Sequence, residues 1–322
     1  MEFWELADLS TPWCIYVIAT LRIAERIAEG ITEIDRLAAA AGADPDSLDR
    51  VMRHLVSKGL FERPEPGRYT LNDAARPLLD PGAHLYFNLD GFGGRMAYAW
   101  GTLLSAVRTG KPAYHEAFGV PYWEDLEAHP DIGAQFDALM GPSGHAVDPE
   151  VLVDPADWAS VRTVVDVGGG EGWLLAGILK ARPSVRGTLV DLARPVARSH
   201  EVFQQAGVAD RATAVAQSFF DPLPAGADVY TVRNVLGDWP DPEATAILRR
   251  CAEAARPSGR VVVFMGAPGE EASPELLMLV LVGGRGRSQD DFRKIAGEAG
   301  LELRATGRQR SGRWIAEFRP TS

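Results

Sequence analysis

The sequence predicts an α/β fold: a doubly wound, mostly parallel sheet in the second half, preceded by a helical domain of winged-helix arrangement. Three observations lead there. After Trp158, short apolar runs alternate with helical segments, the pattern of repeated βα units. The first of those runs, "VRTVVDV", ends in glycines and opens straight into the helical stretch "WLLAGILKARP". The first half instead shows helical apolar spacing, broken by one Pro- and Gly-containing stretch of β-prone residues.

Taken in order, residues 11–29 carry apolar side chains at helical spacing, and Gly30 is their stop signal. "TEIDRLAAAAG" and "DPDSLDRVMRHLVSKGLF" predict two helices around a Gly42–Ala43 turn, the second entered through Asp44-Pro45. "FERPEPGRYTLN" reads as a hairpin, which completes the winged-helix order. Further helices are expected around 94–108, 123–128 and 131–141. In the second half "RGTLVDL", "ATAVAQSFF", "DVYTVRNVL" and "RVVVFMG" are strands, the third expected to run from Val229 to Val235. "PVARSHEVFQQAG" and "ATAILRRCAEAARPSG" are the helices between them. The end, "LELRATGRQRSGRWIAEFRP", reads as two strands joined by a Ser-Gly turn, an antiparallel hairpin at the sheet edge. The expected domains are 1–155 and 156–322.

At 322 residues the chain is long enough for two ordinary domains. A formal charge of −11 speaks against broad binding to nucleic acid or an anionic membrane. No apolar run reaches the length that spans a bilayer, and the start lacks the basic region and clean apolar core of a signal peptide. The two cysteines, Cys14 and Cys251, match no metal or redox spacing. A cytoplasmic protein without a metal site is expected.

Chemistry concentrates first in "VVDVGGGEG". Gly168, Gly170 and Gly172 stand between a strand and a helix, where glycine lets backbone approach a ligand and the helix start offers free N–H groups. A dinucleotide fingerprint would need a third glycine at 173, where this chain has Trp173. Asp166, two residues before the first glycine, can order the loop or meet an ammonium group. Asp191 closes the second strand 25 residues later, where a carboxylate can accept both hydroxyls of a ribose. Together these favour S-adenosylmethionine over NAD.

With those motifs the chain resembles the bacterial small-molecule O-methyltransferases related to plant phenolic O-methyltransferases, and among them actinomycete enzymes acting on naphthoates and other aromatic polyketides. The residues that carry the resemblance include "SLDRVMRHLVSKGLF", "YWEDLEAHPDIGAQFDALM", "VVDVGGGEG", "SFFDPLPAGAD", "VLGDWPD" and "LMLVLVGGRGRS". The resemblance implies a Rossmann-like S-adenosylmethionine-binding domain with S-adenosylhomocysteine as product, and a winged-helix domain that forms a homodimer and covers the substrate. It implies that Asp166, Gly168, Gly170, Asp191, Leu192, Ser218, Phe219 and Arg233 bind the cofactor, Arg233 standing where plant members have lysine. Position 218 is usually aspartate in the family, so serine there departs from the pattern. Phe136, Met140, Asn234, Gly237, Met265 and Met278 are the residues expected to line the pocket of a small aromatic substrate.

One departure bears on mechanism. The family's Leu-His-Asp-Trp reads "LGDW" here, so Gly237 stands where the general-base histidine belongs. The two glutamates that hold that histidine are replaced by Met265 and Gly286. The joint loss predicts a roomier, less polar pocket and methyl transfer by alignment and desolvation. Asp238 and His145, just past "FDALM", are the remaining candidates for a catalytic group at this end of the sheet. An alternative keeps the fold and cofactor but changes the reaction to ring closure by alkylation (a cyclase), hydroxylation, decarboxylation or a pericyclic step. A third, a winged-helix regulator, would use Arg50, Arg53, His54 and Lys58 against phosphate, although residues 30–80 hold seven Lys/Arg against nine Asp/Glu.

Overall fold

The computed structural model describes residues 3–140, 148–265 and 273–321. The chain divides into two compact units, Met1–Tyr98 and Ala99–Ser322. The change from helices to alternating strands read in the sequence falls later, at 155–156. The difference arises because helices after residue 99 pack within the second unit: Arg194, for example, is salt-bridged to Glu127 and Asp137.

In the first unit, the expected helix over 11–29 is two helices, Ser10–Thr20 and Ile23–Ala28, with Arg22 between them at φ 54°. A left-handed residue cannot continue a right-handed helix, so the chain turns there. Gly30, at φ 92°, ends the second helix as expected. Helices Ile34–Ala41 and Pro45–Ser57 follow; the Asp44 carboxylate accepts from the Ser47 N–H at 2.8 Å and so caps the second. Strands β1 (Glu62–Glu65) and β2 (Arg68–Thr70) pair antiparallel as the wing. Ile18, Ile23, Leu37, Met52, Leu55, Phe61 and Tyr69 fill the core beneath. The basic residues that a regulator would use have protein partners instead: Arg50 with Asp46, Arg53 with Asp49, Lys58 with Asp8, and His54 with the Thr11 hydroxyl.

The second unit holds strands β3 (Thr163–Val167), β4 (Arg186–Asp191), β5 (Ala212–Ala216), β6 (Val229–Val232), β7 (Arg260–Met265), β8 (Leu301–Arg308) and β9 (Trp314–Pro320). They form one sheet in the order β5-β4-β3-β6-β7-β9-β8. β3 to β7 are parallel, while β9 runs antiparallel to both β7 and β8, the edge hairpin the sequence predicts. Alternation along β3 sends Val164 to one face and Val165 and Val167 to the other, and each face carries its own apolar core. Buried on both sides, these strands read as continuous Val-rich runs, not as alternating ones. β6 ends at Val232, three residues before the expected end, because Asn234 adopts φ 55° and turns the chain out of the sheet.

Strand order reverses at β3, which has β4 on one side and β6 on the other. Open α/β sheets leave their ligand crevice at such a switch point, beyond the carboxyl ends of the strands. Here those ends present the glycine loop, Asp191 and the Asn234–Trp239 turn.

Candidate active site

The glycine loop is shaped by backbone that side chains would not tolerate. Gly168, Gly170 and Gly172 have φ of 67°, 63° and 90°. A Cβ on Gly168 would lie 2.5 Å from Val235 and 3.5 Å from the Phe219 ring, so Phe219 stands directly against the loop. The helix Trp173–Ala181 begins at Gly172 and aims its first N–H groups toward this crevice. Glu171 is paired with Arg198 at 3.0 Å and accepts from the Trp173 indole at 3.1 Å, so it is committed to structure.

Two carboxylates flank the loop. Asp191 accepts from the N–H groups of Gly170 and Leu192, both at 2.7 Å, which fixes the carboxylate and leaves lone pairs for a diol. Burial raises its pKa above the ordinary aspartate value, against those two backbone bonds. Asp166 is fully buried; one oxygen accepts from the Thr231 hydroxyl at 2.7 Å, and Oδ2 has no partner among the described residues. Burial pushes its pKa up to about 6, with the Thr231 bond acting against the rise. An orphaned buried oxygen beneath a glycine cradle is the condition expected where a polar ligand completes the site. The Ser218 hydroxyl accepts from the Phe220 N–H at 3.2 Å and shapes the loop that presents Phe219. The half-buried guanidinium of Arg233 has its pKa lowered, first by burial and then by nearby Arg313.

Beyond β6 the turn Leu236–Asp238 is a single 3-10 turn. A Cβ built on the exposed Gly237 meets nothing within 4 Å, so the strand end opens into space. Aromatic rings cluster around Trp239, two residues further on. Trp239 packs parallel to Trp123 with centroids 6.5 Å apart, and lies edge-on to Phe219 at 5.9 Å and Phe220 at 5.0 Å. Phe136, half-buried, reaches Trp123 at 5.7 Å and Tyr122 at 6.4 Å. The turn is held from behind by Arg287, whose fully buried side chain donates to the Leu236 carbonyl, to the Trp239 carbonyl at 2.6 Å and to Asp241 at 2.8 Å. A Cβ on Gly284 would collide with the Gly237 carbonyl, so "GGRGRS" wraps closely round the turn.

Asp238 follows Gly237 with its carboxyl desolvated and without an ion-pair partner among the described residues, which pushes its pKa up to about 7. Asn234 accepts from Arg313 at 2.5 Å, which braces its left-handed backbone. Met278 is half-buried on the helix Ser273–Leu281 that leads into the "GGRGRS" loop. Met265 ends β7 opposite Trp314, and Met140 ends the helix Pro130–Met140; the side chains of both lie outside the description. His145 lies outside the described residues.

Of the residues singled out in the sequence, the structure brings Asp166, Asp191 and Phe219 to the glycine loop, sets Phe136 against Trp123 and leaves Gly237 exposed at the strand end. Sequence reading missed Tyr122, Arg194 and Arg287. A signal existed for Arg287, an arginine four residues beyond Gly283 in a glycine-rich loop, but nothing local marks its target as the turn at 236–239. Among the described residues no group of His, Cys, Asp and Glu is arranged to hold a metal ion, and no helix is long and apolar enough to cross a membrane.

A glycine cradle flanked by two carboxylates at a sheet switch point, with an aromatic cluster beyond the next strand end, fits the class of S-adenosylmethionine-dependent methyltransferases. The comparisons agree at the level of family. An O-methyltransferase domain model matches residues 100–302, and an O-methyltransferase dimerisation domain model matches residues 4–81. The chain belongs to the O-methyltransferase family. A 2,7-dihydroxy-5-methyl-1-naphthoate 7-O-methyltransferase of Streptomyces carzinostaticus is 43% identical over 307 residues, 93% of this chain and 92% of that protein. Aclacinomycin 10-hydroxylase RdmB of Streptomyces purpurascens is 38% identical over 311 residues, 92% of this chain and 83% of that one. The solved structure of the O-methyltransferase NcsB1 from neocarzinostatin biosynthesis, in complex with S-adenosylmethionine and 2-hydroxy-5-methyl naphthoic acid, superposes with a TM-score of 0.90 at 40% identity over 99% of both chains.

Proposed function

We propose that this enzyme methylates a hydroxyl group of an aromatic natural product, of naphthoate or polyketide type, during antibiotic biosynthesis. The observation that supports this most is the cluster of Trp123, Phe136, Trp239 and Phe219 rings, with Trp239 two residues beyond the exposed Gly237 and Phe219 against the glycine loop. S-adenosylmethionine supplies the electrophilic methyl group. On this reading Asp191 accepts the ribose hydroxyls, with the Leu192 N–H keeping its carboxylate in place. Phe219 and Ser218 flank the adenine, Asp166 orders the glycine loop from below, and Arg233 faces the carboxylate of the methionine portion. Phe136, Trp123 and Trp239 hold the flat ring system of the acceptor and exclude water, with Asn234 and Met278 completing the pocket.

Gly237 supplies no base, so alignment and desolvation carry the transfer; orientation alone contributes ~7–11 kcal/mol in well-aligned intramolecular reactions. An acidic phenol needs little help in losing its proton. Asp238, the next residue in the chain, is a titrating group with a pKa raised toward neutrality by burial. The protein works as a cytoplasmic homodimer through its first unit, which exposes Phe3, Trp4, Leu6, Leu9 and Trp13.

A second reading, hydroxylation, draws on the 38% identity to a protein named as a hydroxylase, together with the absent imidazole. One experiment separates them. The enzyme is incubated in air with S-adenosylmethionine and a dihydroxynaphthoate. Methylation gives S-adenosylhomocysteine and a methoxy product in equal amounts. A product that gains an oxygen atom while the cofactor is not consumed would overturn the methylation reading.

A further inference from the structure

The helix Ala193–Gln205 begins two residues after Asp191, and Arg194 points from its first turn into the helices that wall the acceptor space. Its Nε donates to Glu127 at 3.2 Å, and its Nη1 donates to the Gly133 carbonyl at 2.9 Å and to Asp137. The side chains are 14% exposed for Arg194 and 8% for Asp137, so the pair is largely out of water. Gly133 gives room to both the guanidinium and the neighbouring helix: a Cβ there would lie 2.5 Å from Arg194 Nε, 2.7 Å from its Cδ and 2.8 Å from the Leu126 carbonyl oxygen. Glycine is a poor helix former, so its place inside Pro130–Met140 answers to these two close approaches.

The same two helices carry the pocket rings. Trp123 shares Tyr122–Ala128 with Glu127, and Phe136 is the neighbour of Asp137 in Pro130–Met140. At the other end, Asp191 is locked to the glycine loop through Gly170 and lies within electrostatic reach of both Asp137 and Arg194.

We infer that Arg194 is a positioning residue that couples the cofactor's ribose site to the acceptor's aromatic wall, so that cofactor and acceptor bind cooperatively. This rests on the assignment of Asp191 and the aromatic wall proposed above. The buried Asp137 carboxylate needs the guanidinium, which fixes the wall helix to residue 194. Residue 194 is fixed in turn by the short connection from Asp191. A ligand that steadies one end therefore steadies the other, and linkage makes the effect equal in both directions.

The test is calorimetric titration of S-adenosylhomocysteine into the full-length protein, with and without saturating 1,4-dihydroxy-2-naphthoic acid. The wild type is expected to bind more tightly with the naphthoate present, by roughly 5–150-fold, the usual range of such couplings. Arg194→Gln should keep S-adenosylhomocysteine affinity alone within about 3-fold of wild type, while the coupling factor falls toward one. Arg194→Lys, which keeps the charge beside Asp137 but loses the fork, should fold like wild type and retain part of the coupling. Full wild-type coupling in Arg194→Gln, or a naphthoate that leaves wild-type affinity unchanged, overturns the inference. Wild-type affinity in Asp191→Ala would instead sink the ribose assignment, and the coupling with it.

Discussion

Asp238 shows how much one residue's surroundings decide. Its half-buried carboxyl has no salt bridge among the described residues, so burial raises its pKa to about 7 from an unfolded value near 4. Between those values the folded state holds a proton that the unfolded state has released. Stability therefore falls as pH rises from about 4 to 7 and levels off above. Asp238→Asn removes the burial cost of the charge. It should raise the Tm at pH 8 by at least ~2 °C and leave it nearly unchanged at pH 4, in paired thermal melts. An equal shift at both values would show that the carboxyl is not desolvated. Asp191 answers to binding instead. Asp191→Ala should weaken S-adenosylhomocysteine by about 1.5–3 kcal/mol, the worth of hydrogen bonds to a charged group, measured by calorimetry. Unchanged affinity would show that the ribose lies elsewhere.

At the scale of elements, the Leu236–Asp238 turn depends on a side chain fifty residues away. Arg287→Ala deprives the Leu236 and Trp239 carbonyls of their donor and leaves Asp241 to Arg285 alone. Loss of such a buried clamp costs about 2–4 kcal/mol, discounted because Asp241 is partly exposed, and urea unfolding should show it. Turnover should drop with stability, because the Trp239 ring loses its anchor. What was legible in the sequence divides along the same line. The parallel strands and glycine loop announce themselves through local patterns: valine runs, φ-permissive glycines and an aspartate at a strand end. The early end of β6 did not, because Val235 and Leu236 resume the apolar pattern after Arg233 and Asn234, while Asn234 takes up left-handed backbone braced by Arg313. The break at Arg22 escaped for the same reason: its apolar spacing is helical on both sides, and no glycine or proline marks the turn. Arg194 and Arg287 were illegible as site residues because their partners lie far away in the chain.

At the scale of the whole molecule, a chain with net charge −11 carries Phe3, Trp4, Leu6 and Leu9 on the surface of its first unit, more than two thirds exposed each. A second copy would cover them, so light scattering on the full-length protein should give the mass of a dimer, and deletion of residues 1–28 should give aggregation or loss of activity. A well-behaved monomer of full activity would contradict that. Methyl transfer without an imidazole at the end of β6 is tested most directly by the turnover of full-length Gly237→His on the natural acceptor. The open space at Gly237 admits the new Cβ without moving the backbone, so the variant should fold. Its ring then takes room that the acceptor uses. Overpacking of ~1–3 kcal/mol corresponds to a fall in kcat/KM of roughly 5–150-fold. A variant several-fold faster than wild type would mean that the glycine is a handicap and that the site was built for the base it lacks.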